Sequence, residues 1–420
     1  MKVHLISLGC PKNLVDSEKI LGALGASGVD IALVPEDSDV VIINTCGFIR
    51  PARQETEQEI ATMIERIQGQ DTQLYVLGCA VNRFGKELKA TFPEVAAWFR
   101  LDETPDLVRA ISSEAVNKKT RLVSTCGYAY LKIAEGCSND CAYCTIPSIK
   151  GAYRSKPMEE LVQEARELAK FGVRELILIA QDTARYGTDL YGASQTHTLM
   201  RRLSQIDGIS WIRLLYTHPK GVTEELLHEI ATNAKVCKYL DLPIQHINDR
   251  LLTVMNRRVT RQQIERIVHC AKRIKAIALR TTTIAGLPTE TEDEFMELFS
   301  FLEQGYFDWL GVFPYYREPG THAARMKQVP EPIIQERYDR LVRLQKTLIE
   351  QRNQHRIGEI HQTLMHRDNG MCRGHAAFSA PEIDGEIMTK HVSMQVGHFY
   401  DLKITEIKGC DLIGEVVSRE

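Results

Sequence analysis

Three short apolar runs open the chain. Val3–Leu8, Val40–Asn44 and Leu74–Leu77 are rich in β-branched residues and lack the polar alternation of half-exposed strands. Runs of that kind are buried on both faces, as in a parallel sheet. Amphipathic stretches separate and follow them at Asn13–Leu24, Arg53–Ile67 and Arg83–Ala90, the first with Asn13 as its N-cap and Asp16 three residues on. Strand and helix in alternation predict an open α/β domain of flavodoxin-like type. Residues 101–127 lack strong periodicity, carry the charged Asn117-Lys118-Lys119-Thr120-Arg121, and read as a last helix and a connector.

A second βα rhythm starts near Tyr130. Strand candidates are Leu131–Glu135, Glu175–Ala180, Trp211–Tyr216, Tyr239–Pro243, Arg280–Ala285 and Trp309–Pro314. Helical stretches fall between them at Met158–Phe171, Thr223–Asn233, Arg261–Ala278 and Glu292–Gln304, the last opened by Thr289 and Glu292 as a capping box. Six such units predict a partial TIM-type (βα)6 barrel. A long amphipathic helix, Ile333–Arg356, leads into short alternating strands with hairpin signals at Asn369-Gly370 and Asp384-Gly385, the pattern of a small all-β barrel. The expected domains are therefore 1–112, a linker at 113–127, 128–355 and 356–420.

Composition narrows the class. A chain of 420 residues with 44% hydrophobic content supports a large core in two or three domains. The net charge of −3 gives no bulk attraction to nucleic acid or anionic membrane. No apolar run is long enough to span a bilayer, and the apolar start is too short for a signal peptide. Eleven cysteines without a secretion signal point to a reducing, cytoplasmic setting, where clustered thiols bind metals or do chemistry.

Two sets of cysteines stand out. Cys137, Cys141 and Cys144 lie on one loop with C-x3-C-x2-C spacing, directly after the first barrel strand. Soft thiolates select iron–sulfur clusters, zinc or copper(I). A structural zinc site closes with four ligands, and no fourth Cys or His follows at finger-like distance. Three thiolates can instead hold three corners of a [4Fe–4S] cube and leave one iron open. The second set, Cys10, Cys46 and Cys79, ends the three N-terminal strands in Ser7-Leu8-Gly9-Cys10, Asn44-Thr45-Cys46-Gly47 and Leu77-Gly78-Cys79. In a parallel sheet those ends share the edge where ligands bind. Free cysteine is also a common small core residue. Three at one edge predict a second three-thiolate cluster.

With both triplets in place, the whole chain resembles the methylthiotransferases of the radical S-adenosylmethionine (SAM) superfamily. Further matches are Pro147 to Lys156, Gln181-Asp182, Leu242 to His246, Ile284 to Thr291 and Tyr315 to Thr321. Thr289 and Tyr316 depart from the family, which usually has Gly and Ser there. Within the family, Ser7 to Glu18, with Pro11-Lys12-Asn13 after the first cysteine, and Ala380 to Gly385 are similar to the RimO branch. That branch modifies an aspartate β-carbon of small-subunit ribosomal protein twelve. The tRNA-modifying MiaB branch typically has Gln-Met-Asn after that cysteine.

The resemblance implies an N-terminal cluster domain, a SAM-cluster barrel and a C-terminal TRAM barrel that engages substrate. It implies that a [4Fe–4S] cluster on Cys137, Cys141 and Cys144 reduces SAM to generate a deoxyadenosyl radical. A second [4Fe–4S] cluster on Cys10, Cys46 and Cys79 would deliver a methylated sulfur. Neither the electron donor nor the sulfur donor follows from it. Tyr143 is expected against the adenine of SAM or in ordinary loop packing, and Gln181 and Gln245 at strand ends facing the cofactor. Lys150, Arg154 and Lys156 read as a solvated basic loop, and His246 as a hydrogen-bonded barrel residue. The remaining cysteines, 126, 237, 270, 372 and 410, lack ligand spacing. Residues 356–420 carry seven Lys and Arg against ten Asp and Glu, which suits a basic protein better than a phosphate backbone. Modification of tRNA adenosine, or a non-catalytic iron–sulfur module that docks on ribosomes or RNA, are the alternatives.

Overall fold

The computed structural model describes residues 1–112, 120–368, 371–390 and 394–419. They form two compact units, each built around its own sheets. The first comprises 1–124, 136–138 and 144–152, and the second 125–135, 139–143 and 153–420.

The first unit contains β1 (Lys2–Ser7), α1 (Pro11–Ala26), β2 (Asp30–Ile31), β3 (Val40–Thr45), α2 (Arg50–Arg66), β4 (Gln73–Gly78), α3 (Cys79–Thr91), β5 (Ala97–Phe99), α4 (Thr104–Ile111) and the short α5 (Ile146–Lys150). Every strand pair is parallel, and the order is β2-β1-β3-β4-β5. That is the flavodoxin-like order, whose direction of winding reverses between β1 and β3. All six residues of β3 are buried. Val40 and Ile42 pack against Ile20 and Leu24 of α1 and Leu107 of α4, while Val41 and Ile43 pack against Ile60 and Met63 of α2. The two-residue period of a strand thus feeds both layers of the core. Full burial of each of these side chains stabilises by about 2 kcal/mol.

The second unit opens with β6 (Tyr128–Lys132) and β7 (Ala134–Glu135), then β8 (Arg154–Ser155), α6 (Met158–Lys170), β9 (Glu175–Ile179), α7 (Thr188–Tyr191) and α8 (Thr196–Ser204). There follow β10 (Trp211–Leu214), α9 (Glu224–Thr232), β11 (Tyr239–Asp241), α10 (Asp249–Val254), α11 (Arg261–Lys272), β12 (Ala278–Ala285), α12 (Glu292–Glu303), β13 (Trp309–Pro314) and α13 (Glu331–Arg356). The six expected strands form two parallel three-stranded sheets, β6-β9-β10 and β11-β12-β13. Hydrogen bonds from Thr217 N to Asp241 O at 3.1 Å and from Cys237 N to Ile212 O at 2.9 Å join their inner edges. This is the partial barrel. Beyond it, β14 (Ile360–Asp368), β15 (Cys372–Ala376), β16 (Ile387–Thr389), β17 (Phe399–Lys408) and β18 (Asp411–Arg419) close into a small barrel in the order β14-β15-β16-β18-β17. Closure removes the sheet edges.

The small barrel is locked to residues at or within two positions of the starts of the parallel strands. Arg213 donates to the carbonyls of Ala377 at 2.9 Å and Ala376 at 3.0 Å, while Glu175 hydrogen-bonds His375. Tyr239 donates to Asp384 at 2.6 Å, Arg280 lies 3.3 Å from the other Asp384 oxygen, and Trp309 donates to the Phe378 carbonyl at 2.7 Å. Burial pushes the Asp384 carboxyl up even with Arg280 beside it.

Several local expectations are corrected. α1 starts at Pro11 with Cys10 as its N-cap, so Asn13 is inside the helix. Its side chain serves the sheet edge. The capping box of α12 is Thr291 with Glu294, two residues later than Thr289 with Glu292. Thr289 instead adopts a left-handed φ of 68°. Asp384-Gly385 is no hairpin tip: the Asp384 side chain is 1% exposed, and a Cβ on Gly385 would meet the Cys410 carbonyl at 2.1 Å. Helices α8 and α10 were not expected, and α11 ends at Lys272 rather than Ala278. The Asn369-Gly370 turn and the charged run through Lys119 lie outside the described residues.

Candidate functional site

In the first unit, Cys10, Cys46 and Cys79 follow β1, β3 and β4, neighbours in the sheet and flanking its switch point. Asn13, fully buried, ties this edge together. Its Nδ2 donates to the Leu8 carbonyl at 3.1 Å and the Thr45 carbonyl at 2.9 Å, and its Oδ1 accepts from Cys79 Sγ at 3.6 Å. Gly9 takes φ +84°, and a Cβ there would lie 2.6 Å from Cys46 Cβ and 2.9 Å from its Sγ. Glycine is therefore needed to bring β1 against Cys46. Thr56 holds the Cys46 backbone through its hydroxyl, donating to the carbonyl at 2.8 Å. Burial pushes the Cys46 thiol up, and the neighbouring Cys10 adds to that rise. A metal would offset the cost by binding the thiolate.

Lys150, expected in solvent, has a side chain only 5% exposed and lies 3.7 Å from Asp16. Lys156 lies 3.4 Å from Glu164, whereas Arg154 is exposed as expected.

The other cysteine loop is shared between the units. Gly136–Ser138 and Cys144–Ala152 pack with the first, and Asn139–Tyr143 with the second. In the first, Cys137 N donates to the Gly151 carbonyl at 3.1 Å, Cys144 Sγ accepts from Ile146 N at 3.5 Å, and Thr145 Oγ1 donates to the Phe48 carbonyl at 3.1 Å. Gly136 has φ +78°, and a Cβ there would collide with the Ala152 carbonyl at 2.2 Å.

In the second unit, Asn139 donates to Asp182 at 2.9 Å, and Ala142 N to the Met255 carbonyl at 2.9 Å. Cys141 Sγ accepts from Arg257 Nη1 at 3.5 Å. Tyr143 is partly buried against the cluster formed by Met255, Leu287, Tyr315 and Ile334. Sequence reading missed Arg257 and Asp182; Asp182, next to Gln181, had a motif match without a role, and Arg257 had no signal at all. Burial raises the Asp182 carboxyl, with Asn139 working against that rise.

Gln181 donates to Glu135 at 3.0 Å, but its Oε1 is buried without a partner. Gln245, with φ 68°, bridges to Thr283 on β12, and both its Oε1 and the Thr283 hydroxyl are buried without partners. Buried polar atoms are nearly always satisfied, so these orphans leave hydrogen-bonding capacity for a water or a polar ligand. His246 Nε2 is 3.1 Å from Glu290 Oε1, and its Nδ1 accepts from Asn248 N at 3.0 Å, an internal hydrogen-bonding role.

Among the described residues, no three His, Cys, Asp or Glu side chains converge on a single ion. A [4Fe–4S] cube asks for something else, one thiolate per iron, so its ligands stand apart around a bulky body. The donor set fits that group: each triplet offers three cysteines outside any disulfide beside glycine-lined backbone, and the barrel adds unpartnered polar atoms for a cofactor. Among the described residues, no helix is long and apolar enough to cross a membrane.

Comparison with known proteins agrees with this layout. The radical SAM superfamily model matches residues 131–302, the uncharacterized protein family UPF0004 matches 2–100, and the TRAM domain matches 357–417. Among solved structures, the radical SAM methyltransferase TsrM from Kitasatospora setae superposes with a TM-score of 0.57 at 16% identity, covering 77% of this chain and 76% of that one. That likeness is one of fold. The ribosomal protein uS12 methylthiotransferase RimO of Geobacter sulfurreducens is 43% identical over an alignment of 441 positions, covering 99% of each chain. Its counterpart from Pelotomaculum thermopropionicum is 41% identical with the same coverage. With that identity sustained from end to end, and with both cysteine triplets at the strand edges, the chain belongs to the RimO family of radical SAM methylthiotransferases.

Proposed function

We propose that this enzyme adds a methylthio group to the β-carbon of an aspartate of ribosomal protein uS12, the small-subunit protein twelve, with SAM as radical source and as methyl donor. The full-length identity to relatives bearing that activity in their name is the observation that carries it. Cys137, Cys141 and Cys144 would hold one [4Fe–4S] cluster, and Cys10, Cys46 and Cys79 the other. Bound there with SAM, these clusters supply the one-electron and sulfur chemistry that an unactivated C–H bond demands and that no side-chain acid or base can provide.

The chain's own residues bind and orient. Gln181, Gln245 and Thr283 present their free polar atoms to SAM, and Tyr143 offers an aromatic face beside the cysteine loop. Gly9 and Gly78 open the backbone for the second cluster: a Cβ on Gly78 would meet the Asn44 side chain at 2.6 Å. The small barrel favours a basic protein partner. Asp384 and Arg356 are both buried, and losing one charge of each sign leaves its acidic excess unchanged. The reaction takes place in the cytoplasm, on uS12 free or within the small subunit.

The test incubates reconstituted enzyme, SAM and a low-potential reductant with small ribosomal subunits and with tRNA. A mass gain of one methylthio group on an aspartate of uS12, with tRNA unchanged, is expected. Modification found only in tRNA overturns the proposal in favour of adenosine methylthiolation, and absence of SAM cleavage overturns it in favour of a binding module.

A further inference from the structure

The segment Met255–Arg258 follows α10 and grips the middle of the cysteine loop. Asn256 Nδ2 donates to the Asp140 carbonyl at 3.2 Å, Arg258 Nη2 donates to Asp140 Oδ2 at 2.7 Å, and the Met255 carbonyl accepts from Ala142 N at 2.9 Å. The grip is strained. Asn256 and Arg258 both adopt left-handed backbone, with φ 54° and 52°, on either side of Arg257. Each non-glycine residue so held costs about 1 kcal/mol, and such strain collects at functional sites.

The strained turn delivers one guanidinium. Arg257 is 5% exposed, donates from Nη2 to the Pro243 carbonyl at 2.7 Å and from Nη1 to Cys141 Sγ at 3.5 Å. Its Nε is buried without a partner. A buried guanidinium is costly unless negative charge meets it. Among the described residues no carboxylate lies within ion-pair distance of Arg257, Asp182 acting on it only from further off; one arm of its fork is taken by the Pro243 carbonyl and the other ends on the Cys141 sulfur.

We propose that Arg257 is a positioning residue for Cys141 and sets the reduction potential of the cluster held there. A hydrogen bond and a positive charge at a ligand sulfur stabilise the more negative, reduced state, which makes the first electron easier to accept. This rests on Cys141 being a cluster ligand, as proposed above.

The experiment is a redox titration of anaerobically reconstituted full-length wild type, Arg257→Gln and Arg257→Lys, following the reduced-cluster electron paramagnetic resonance signal that changes when SAM is added. Iron and sulfide are measured on each sample. In Arg257→Gln at full loading, the reduced-to-oxidised ratio at a fixed solution potential is expected to fall about tenfold, equivalent to ~59 mV for one electron. Arg257→Lys, which keeps the charge but loses the planar fork, falls between. An unchanged potential in a fully loaded Gln variant overturns the inference. Should Gln fail to load, Lys decides on the same criterion. Failure of both to load assigns Arg257 a purely structural role and likewise overturns it. A wild type that binds no cluster with a SAM-responsive signal defeats the underlying ligand assignment instead.

Discussion

Arg213 and Glu175 form an ion pair from which water is wholly excluded: Arg213 Nε lies 2.7 Å from Glu175 Oε1, and both side chains are 0% exposed. One lies on β10 and the other on the neighbouring β9, two positions apart in register since Glu175 pairs with Trp211, and the outer partners of both come from the small barrel. Breaking such a pair leaves the surviving charge buried and uncompensated. Glu175→Ala is expected to cost about 3–5 kcal/mol, read as a lowered urea midpoint.

The same carboxylate gives an acid dependence. Burial alone would raise the Glu175 carboxyl, but Arg213 and His375 outweigh it and hold it at about 2, below the unfolded value of 4.5. A depressed folded value means that the stability is fully present above the unfolded value and is lost as pH falls toward the folded one. Stability should therefore decline between about pH 4.5 and about pH 2. In Glu175→Gln, urea unfolding across that window should show a shallower slope; an unchanged slope would mean that other groups dominate.

Gly9→Ala tests the N-terminal cluster by sterics alone, since it removes no ligand. The added methyl meets Cys46 at under 3 Å, in a backbone conformation with φ +84° that alanine disfavours. Iron and sulfide per chain should drop from the content of two clusters toward that of one. The SAM-responsive signal should persist, because the nearest atoms to the added methyl belong to Cys46 and Asn13 and not to Cys137, Cys141 or Cys144. Full loading of the variant would refute the close approach.

Thr289→Gly should stabilise. A β-branched residue at φ 68° is strained, and glycine, the residue usual in this family, relieves that. The gain is offset in part by loss of the Thr289 Oγ1 contact from Arg250 Nη1 at 3.1 Å, a bond at an exposed site. A net gain of about 0.5–1 kcal/mol is expected by urea denaturation.

What the sequence disclosed followed from local pattern. β3 could be read as a buried parallel strand because its first four residues, Val40 to Ile43, are an unbroken β-branched run, and all six of its residues are buried. Cys10, Cys46 and Cys79 stood out because each ends such a strand. What escaped depended on distant partners. Asn13 looks like an N-cap beside a helix start, yet Pro11 fixes that start, and its amide instead serves Thr45, 32 residues on. Asp384-Gly385 has turn chemistry, but Tyr239, 145 residues earlier, buries the carboxylate. Arg257 is one basic residue among many until its partner Cys141, 116 residues away, is placed. α8 buries Thr196, Leu199, Met200 and Leu203 at helical spacing, but its nine residues are shorter than the stretch over which that period stands out.

The lock between the small barrel and the strand starts also bears on inheritance. Glu175, Arg213, Tyr239, Arg280 and Trp309 belong to the barrel by sequence, yet their polar groups are completed by residues 375–384. A chimera that takes its last sixty or so residues from a relative must bring matching partners on five separate strands, or bury orphaned charges. The C-terminal segment is therefore not a portable tag. Its solvent-facing side is free of this constraint, while its inner face must be inherited together with the strands it covers.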